Sequence, residues 1–440
     1  MPDDRHLYRV RADGGAPTAL TIGGGTDRDQ DLYPQFLPDG RHFVFLRKSI
    51  DLGRQGLYVG SLDSSDITFV IKSRWNGSIV GGQLMYLAAD STALMAQPID
   101  LARLTLTGSP HRLVDQVGVS GPGLSDSRAQ FSASENGVLA YHRTIMNESQ
   151  ITWIDRSGRS LGVVGTPGVF DNPRLSPDNT ALAVDHWDAQ RGDTHVWLFN
   201  LSRGNTSPLR TGDGPDSSAV WSADGSEIAF VGAFEDAVRL YRKNVKTDQM
   251  MKLTDLEHVS FPTSWAPDGT LFLTQNSNEM DLVTLARGET TTRPFAVGPR
   301  VQVQGEMSPD GRFVAYYSNE SGRPEVYVQP SSGGAKQLAS TSGGADPHWS
   351  RDGKQLYFSV PDTVFQIDVL NVVDGRIQLS VPKPVFTRQI TRAPSSFSNP
   401  FPTTYALAAN GERFLYLIQT DAQDRHPMTI VVNWRALLKQ

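Results

Sequence analysis

The chain contains no cysteine, so disulfides, thiol nucleophiles and thiolate metal sites are excluded, while no compartment is fixed. No apolar run approaches the ~20 residues that cross a bilayer as a helix. Met1–Val10 lacks the basic and apolar regions of a signal peptide. Positive charge is not in excess: the net charge of −6 gives no bulk attraction to nucleic acid or to anionic lipid. Catalytic signatures are missing as well. There is no His-Glu-x-x-His, no Walker loop, and no kinase set of Gly-rich loop, His-Arg-Asp and Asp-Phe-Gly, and the Gly-x-Ser-x-Gly nucleophile elbow is expected to be absent. Gly23-Gly24-Gly25 lacks dinucleotide spacing and reads as a turn.

What the chain has is turns. Its 40 Gly and 27 Pro serve many tight reversals, and 38% hydrophobic against 20% charged residues leaves enough apolar surface for a core. Gly305–Leu338 shows the unit. Pro309-Asp310-Gly311 makes a turn, because Pro presets φ, Asp bonds its own backbone and Gly accepts positive φ. Phe313–Tyr317 and Glu325–Val328 are short aromatic and β-branched runs of strand type. One copy is a four-stranded meander too small to fold alone.

The turn recurs at Pro38-Asp39-Gly40, Asn136-Gly137, Pro177-Asp178-Asn179, Asp224-Gly225, Pro267-Asp268-Gly269, Asp352-Gly353 and Asn410-Gly411, with a degenerate copy at Gln83–Ile99. From Gly137 the positions 179, 225, 269, 311 and 353 follow at spacings of 42, 46, 44, 42 and 42. Four-stranded propeller blades repeat every ~40–50 residues, and no apolar 3.6 periodicity supports a helical repeat. The fold class is therefore all-β, a β-propeller of about nine four-stranded WD-like repeats. Nine exceeds the usual four to eight blades, so two units are expected: a partial propeller of three to four blades over 1–149 and a six-bladed propeller over 150–440. The six copies from Asn172 to Leu438 should close into one ring, with a segment near Ile151–Val164 as outermost strand of the last blade and Thr429–Trp434 as its third strand. The rival is a single ring of nine, with Thr18–Thr21 closing onto Thr429–Trp434. Leu7–Thr21 reads as the second half of a repeat, analogous to Val326–Leu338, without its first two strands.

These copies resemble the WD-like repeats of TolB-type propellers over nearly the whole chain. Pro34–Phe43, Leu94–Pro98, Ser318–Arg323 and Ile430–Trp434 are similar to the propeller region attached to bacterial serine/threonine kinases and winged-helix regulators, notably of Acidobacteria. The resemblance implies an extracytoplasmic part of a membrane-anchored bacterial signalling protein. The repeat motif is specific for the fold and weak for any one activity.

Several residues invite a functional reading. The Asp column of the turns lies on separate blades, whereas Ca²⁺ needs six to eight converging oxygens, so turn capping is expected. The column before the turn (Phe36, Leu175, Trp221, Trp265, Met307, Trp349) should pack between blades. His186, His195 and Asp193 match no zinc spacing. The strongest candidates lie where each inner strand enters the channel. Strand alternation places Arg174, Glu306 and His348 in one column and Asn172, Gln304 and Asp346 in another, beside Asp171. Mixed polar groups around one ring suit either a ligand-binding mouth or a network that satisfies itself. The expected function is a non-catalytic module binding a protein, peptide or small ligand there, without cofactor, metal, nucleic acid or membrane insertion. The alternatives are an enzyme with its active site at that mouth, or a propeller detached from a prolyl-oligopeptidase-like hydrolase.

Overall fold

Each turn forms as its residues require. Asp178 Oδ1 accepts from Ser176 Oγ at 2.7 Å and from Thr180 N at 3.0 Å, and Asp224, Asp310 and Asp352 repeat the pattern. These bonds favour the ionised form and hold the Asp178 and Asp224 carboxyls at about 2. In this computed structural model the described residues are 6–439 except 22–28, 50, 90, 121–127, 144–147, 189–190, 235–236, 256–257, 277–279, 388–400 and 421–427. Apart from a short 3₁₀ helix at Trp434–Lys439, their regular structure is all strand. The Gly/Ser-rich stretch 119–127, which reads as a connector, and the Pro/Ser-rich stretch 392–402, which reads as a loop, fall largely outside them.

Nine sheets have the form of blades. Blades 1 and 2 span 29–71 and 78–114, and blade 3 joins 131–141 to 429–432. Blades 4 to 8 span 170–208, 216–255, 260–296, 302–338 and 345–387, and blade 9 joins 405–419 to 149–168. Blades 4 to 9 close on themselves. Ala406 and Leu415 of blade 9 share a core with Phe170, Leu182 and Val184 of blade 4, while Tyr405 and Phe414 pack with Tyr357 and Val364 of blade 8.

Three expectations are corrected. The segment after Ser149 supplies two outer strands to blade 9, Ser149–Asp155 and Ser160–Gly168. Thr429–Val432 does not enter that blade; it pairs with Val138–Tyr141, and among the described residues blade 3 has three strands instead of four. The nine-membered ring is ruled out with it, since Thr18–Ala19 pairs with Tyr8–Arg9. Strands of equal propensity competed for one edge, and only packing chose between them: Trp434, directly after Thr429–Val432, is fully buried in the core of blades 2 and 3.

Blade-to-blade packing follows one rule. Trp221 Nε1 donates to the Arg174 carbonyl of the preceding blade at 3.0 Å, and Trp349 Nε1 to the Glu306 carbonyl at 3.1 Å. Leu175, Trp265 and Met307 pack in inter-blade cores. Phe36 departs from its column. It is 58% exposed, and among the described residues no four-stranded sheet packs against it from before blade 1. The three-bladed arc leans on the ring through Trp75, which shares a core with Trp187, and through Arg74, whose Nη1 lies 3.5 Å from Asp193 Oδ2.

Candidate functional site

The inner strands of the ring share a kink. Pairing slips after Asp171, Ser217, Val303 and Ala345, and there Asn172, Ser218, Gln304 and Asp346 adopt φ of 52°, 58°, 55° and 57°. A bulge of this kind re-aims the side chains around it and leaves one amide out of the ladder. Each stray amide is then capped. Asp185 takes Ser218 N with both oxygens at 3.0 Å, Thr274 Oγ1 takes Gln304 N at 3.3 Å, Gln304 Oε1 takes Asp346 N at 2.9 Å, and Asp346 Oδ2 takes Thr404 N at 2.6 Å. Asn172 N donates to its neighbour Asp171.

The side chains of the other column meet at the axis. Blades 4 and 7 stand opposite one another in a six-membered ring, so a contact between them crosses its centre. Arg174 Nη1 of blade 4 lies 3.7 Å from Glu306 Oε2 of blade 7. His348 of blade 8 bridges two carboxylates, with Nδ1 2.8 Å from Glu306 Oε2 and Nε2 3.0 Å from Asp346 Oδ1. Burial alone pushes His348 downward, but the two carboxylates overcome it and carry the ring up to about 9, so it is a cation at neutral pH. Burial also lowers Arg174, against the pull of Glu306, and its Nε has no hydrogen-bond partner among the described residues.

Six of the seven expected residues are thus brought into one linked network: Asn172, Arg174, Gln304, Glu306, Asp346 and His348. Asp171 pairs with Asp185 and accepts from Asn172 N at the edge of this network. The lead-in of blade 9 completes the assembly. Gln304 Nε2 donates to the Pro402 carbonyl at 3.1 Å, Thr403 Oγ1 reaches Asn172 Oδ1 at 3.1 Å, and the Phe401 ring sits 5.6 Å from Tyr317. Reasoning from sequence missed Asp185, which burial drives well above the usual carboxylate range. A signal existed, since Asp185 follows the apolar run Ala181–Val184 where other ring blades carry Val231, Thr274, Tyr317 and Ser359.

The remaining candidates resolve locally. Among the described residues no group of His, Asp and Glu is arranged to hold a metal ion. His195 sits between Asp193 at 3.0 Å and Asp216 at 3.3 Å, and these carboxylates raise it to about 9 against its burial. The letters Gly-x-Ser-x-Gly, expected to be absent, do occur at Gly158–Gly162. Ser160 there opens an exposed outer strand after a hairpin turn, and no helix follows, so no nucleophile elbow is formed. Among the described residues no helix is long and apolar enough to cross a membrane.

Residues 234–433 match the TolB beta propeller domain family. Over that stretch the chain is similar to TolB-type β-propellers. A 200-residue stretch is 30% identical to the uncharacterized peptidase YuxL of Bacillus subtilis (strain 168), spanning 43% of this chain and 29% of that protein. A stretch of 149 residues is 26% identical to the uncharacterized protein Atu1656 of Agrobacterium fabrum (strain C58 / ATCC 33970), spanning 33% of this chain and 50% of that one. The chain thus spans half or less of the length of these curated relatives. Among solved structures, a putative TolB from Agrobacterium tumefaciens superposes with a TM-score of 0.49 at 18% identity, over 63% of this chain and 99% of that one. TolB from Acinetobacter baumannii gives 0.41 at 15%, over 69% and 79%.

Proposed function

We propose that this chain is a non-catalytic binding module that takes a protein or peptide ligand at the mouth of its six-bladed ring. The observation that carries this reading is Arg174. Its guanidinium is mostly buried at the ring axis, yet its ion-pair partner among the described residues, Glu306, is 3.7 Å away and is shared with His348. Arginine favours bidentate contact with carboxylates, so an acidic group of the ligand would complete its coordination. The aromatic pair Tyr317–Phe401 flanks the network and offers apolar contact to the same ligand. In keeping with the resemblance to propellers of bacterial signalling proteins, this module would serve as the extracytoplasmic sensing part of such a protein.

The test is selection of a displayed peptide library on the full chain, repeated on Arg174→Met, which keeps the volume and removes the charge. Acidic peptides that bind the parent chain and lose at least about tenfold in affinity for the variant, at unchanged melting temperature, are the expected result. Peptides that bind both chains equally would move the site away from this mouth. A second reading rests on the match to YuxL, described as a peptidase: the propeller would be the non-catalytic partner of a hydrolase domain. Selected peptides cleaved by a YuxL-type hydrolase only when the propeller is joined to it would favour that reading.

A further inference from the structure

The hairpin at the start of the described chain, β1 (Tyr8–Arg9) and β2 (Thr18–Ala19), reproduces the outer half of blade 7 residue for residue. Tyr8 faces Ala19 and Arg9 faces Thr18, as Tyr327 faces Leu338 and Val328 faces Gln337. The Leu7 carbonyl accepts from Leu20 N and Thr21 N at 2.8 and 3.4 Å; the Val326 carbonyl accepts from Ala339 N and Ser340 N at 2.8 and 3.3 Å. Leu7 N donates to Thr21 Oγ1 at 2.9 Å, and Val326 N to Ser340 Oγ at 2.8 Å. Even the turn agrees: Gly14 and Gly15 have φ of 94° and 120°, Gly333 and Gly334 of 87° and 118°. These are the third and fourth strands of a blade.

In blade 7 the third strand is also paired on its inner side, where Ala315 faces Val328 and Tyr316 faces Tyr327. No strand among the described residues pairs with β1 on that side. Because Leu7 bonds toward β2, alternation turns the Tyr8 amide toward the open edge. The face that would receive the inner half of this blade is open too. Phe36 occupies the place that Trp349 has in blade 8; Trp349 is 6% exposed and bonds the inner strand of blade 7, whereas Phe36 is 58% exposed. The hairpin is nevertheless held in place against blade 1, with Arg9 Nη1 2.8 Å from the Leu62 carbonyl and His6 Nδ1 3.4 Å from Asp31 Oδ2.

We propose that the open edge of β1 and the Phe36 face of blade 1 form a docking site for a β-hairpin, the inner strand pair of a propeller blade, presented by a partner polypeptide. Blade 9 shows the same joint within this chain: its outer strands, Ser149–Asp155 and Ser160–Gly168, receive an inner pair from a segment more than 200 residues away. The partner hairpin carries apolar or aromatic residues at alternate positions toward Phe36 and a main-chain edge toward Tyr8, which is strand addition with the register already set. This site is separate from the ring mouth and does not depend on it.

The probe is a labelled peptide with the sequence of Gln302–Ser318, titrated into the full chain. Saturable 1:1 binding is expected, weakened at least about tenfold by Tyr8→Pro, which removes the outward N–H while sparing the bonds to β2, and likewise by Phe36→Glu. Since an isolated hairpin is marginally stable, a second arm places a copy of residues 302–325 directly before Leu7 in place of residues 1–6, at millimolar effective concentration. In that chain the Tyr8 amide should become protected from hydrogen exchange, and the protection should vanish with Phe36→Glu. Lack of protection in the graft together with lack of peptide binding overturns the proposal, as does binding that neither substitution affects. A concentration-dependent dimer, lost with Phe36→Glu and not displaced by the peptide, assigns the face to a second copy and overturns the hairpin as occupant.

Discussion

His348 makes the ring's stability depend on pH in a window that can be worked out. Its ring nitrogens face Glu306 and Asp346, Arg174 stands behind Glu306, and Tyr405 packs edge-on at 4.6 Å. The folded value of about 9 lies above the ordinary 6.5, so the bound proton stabilises the fold fully below pH 6.5, and that contribution is lost as pH rises through about 9. A difference of about 2.5 units corresponds to about 3 kcal/mol, or roughly 6 °C in melting temperature for a domain of this size. His195, also raised to about 9, adds a parallel loss. His348→Gln keeps a hydrogen-bonding side chain and removes the proton. The parent chain should therefore lose more stability than the variant between pH 6.5 and 9, by about 3 kcal/mol, in urea melts taken at both ends of the window. Equal losses in the two proteins would refute the reasoning, because His348 would then titrate alike folded and unfolded.

Three further outcomes are expected. Trp434→Ala empties a fully buried site in the core of blades 2 and 3 and should cost about 3–5 kcal/mol, seen by calorimetry as an early transition of the arc ahead of the ring. Trp349→Phe keeps the packing but loses the bond to the Glu306 carbonyl, which should lower stability by about 1 kcal/mol in denaturant melts. Asp178→Ala removes the cap of one turn; it should cost about 1 kcal/mol at pH 7, and the difference from the parent should fade as pH drops from 3.8 through about 2.

What could be read in the sequence was whatever is local. Pro-Asp-Gly fixes a turn wherever it occurs, and the aromatic and β-branched runs between turns make strands on their own account. Ile151–Ile154 reads as a strand locally, but that its segment supplies both outer strands of blade 9 does not follow from its residues. The destination of Thr429–Val432 was not legible. Its residues suit either blade, and the choice rests on Trp434 reaching a core formed by residues 300 positions earlier. The mouth was half legible. Alternation put Arg174, Glu306 and His348 on one side, yet the bulges at Ser218 and Gln304 carry residue types without a strong left-handed preference, so the capped amides and the role of Asp185 could not be foreseen. Phe36 shows the reverse case: the repeat predicts a buried residue, and among the described residues no blade covers it.

The pairing of Val138–Tyr141 with Thr429–Val432 encloses that of Ser149–Asp155 with Arg413–Gln419, so the chain is fastened by two clasps, one nested within the other. During synthesis, strands 138–141 and 149–155 must wait with open edges while blades 4 to 8 emerge in order. Both clasps shut only once residues 413–432 have been made. A stall before residue 413 therefore leaves two unpaired edges on an otherwise built structure, which is when aggregation or chaperone capture has its opening. Pulling on the finished chain from its C-terminal side should reverse that order. The outer clasp yields first, and the ring stays locked until blade 3 has come apart.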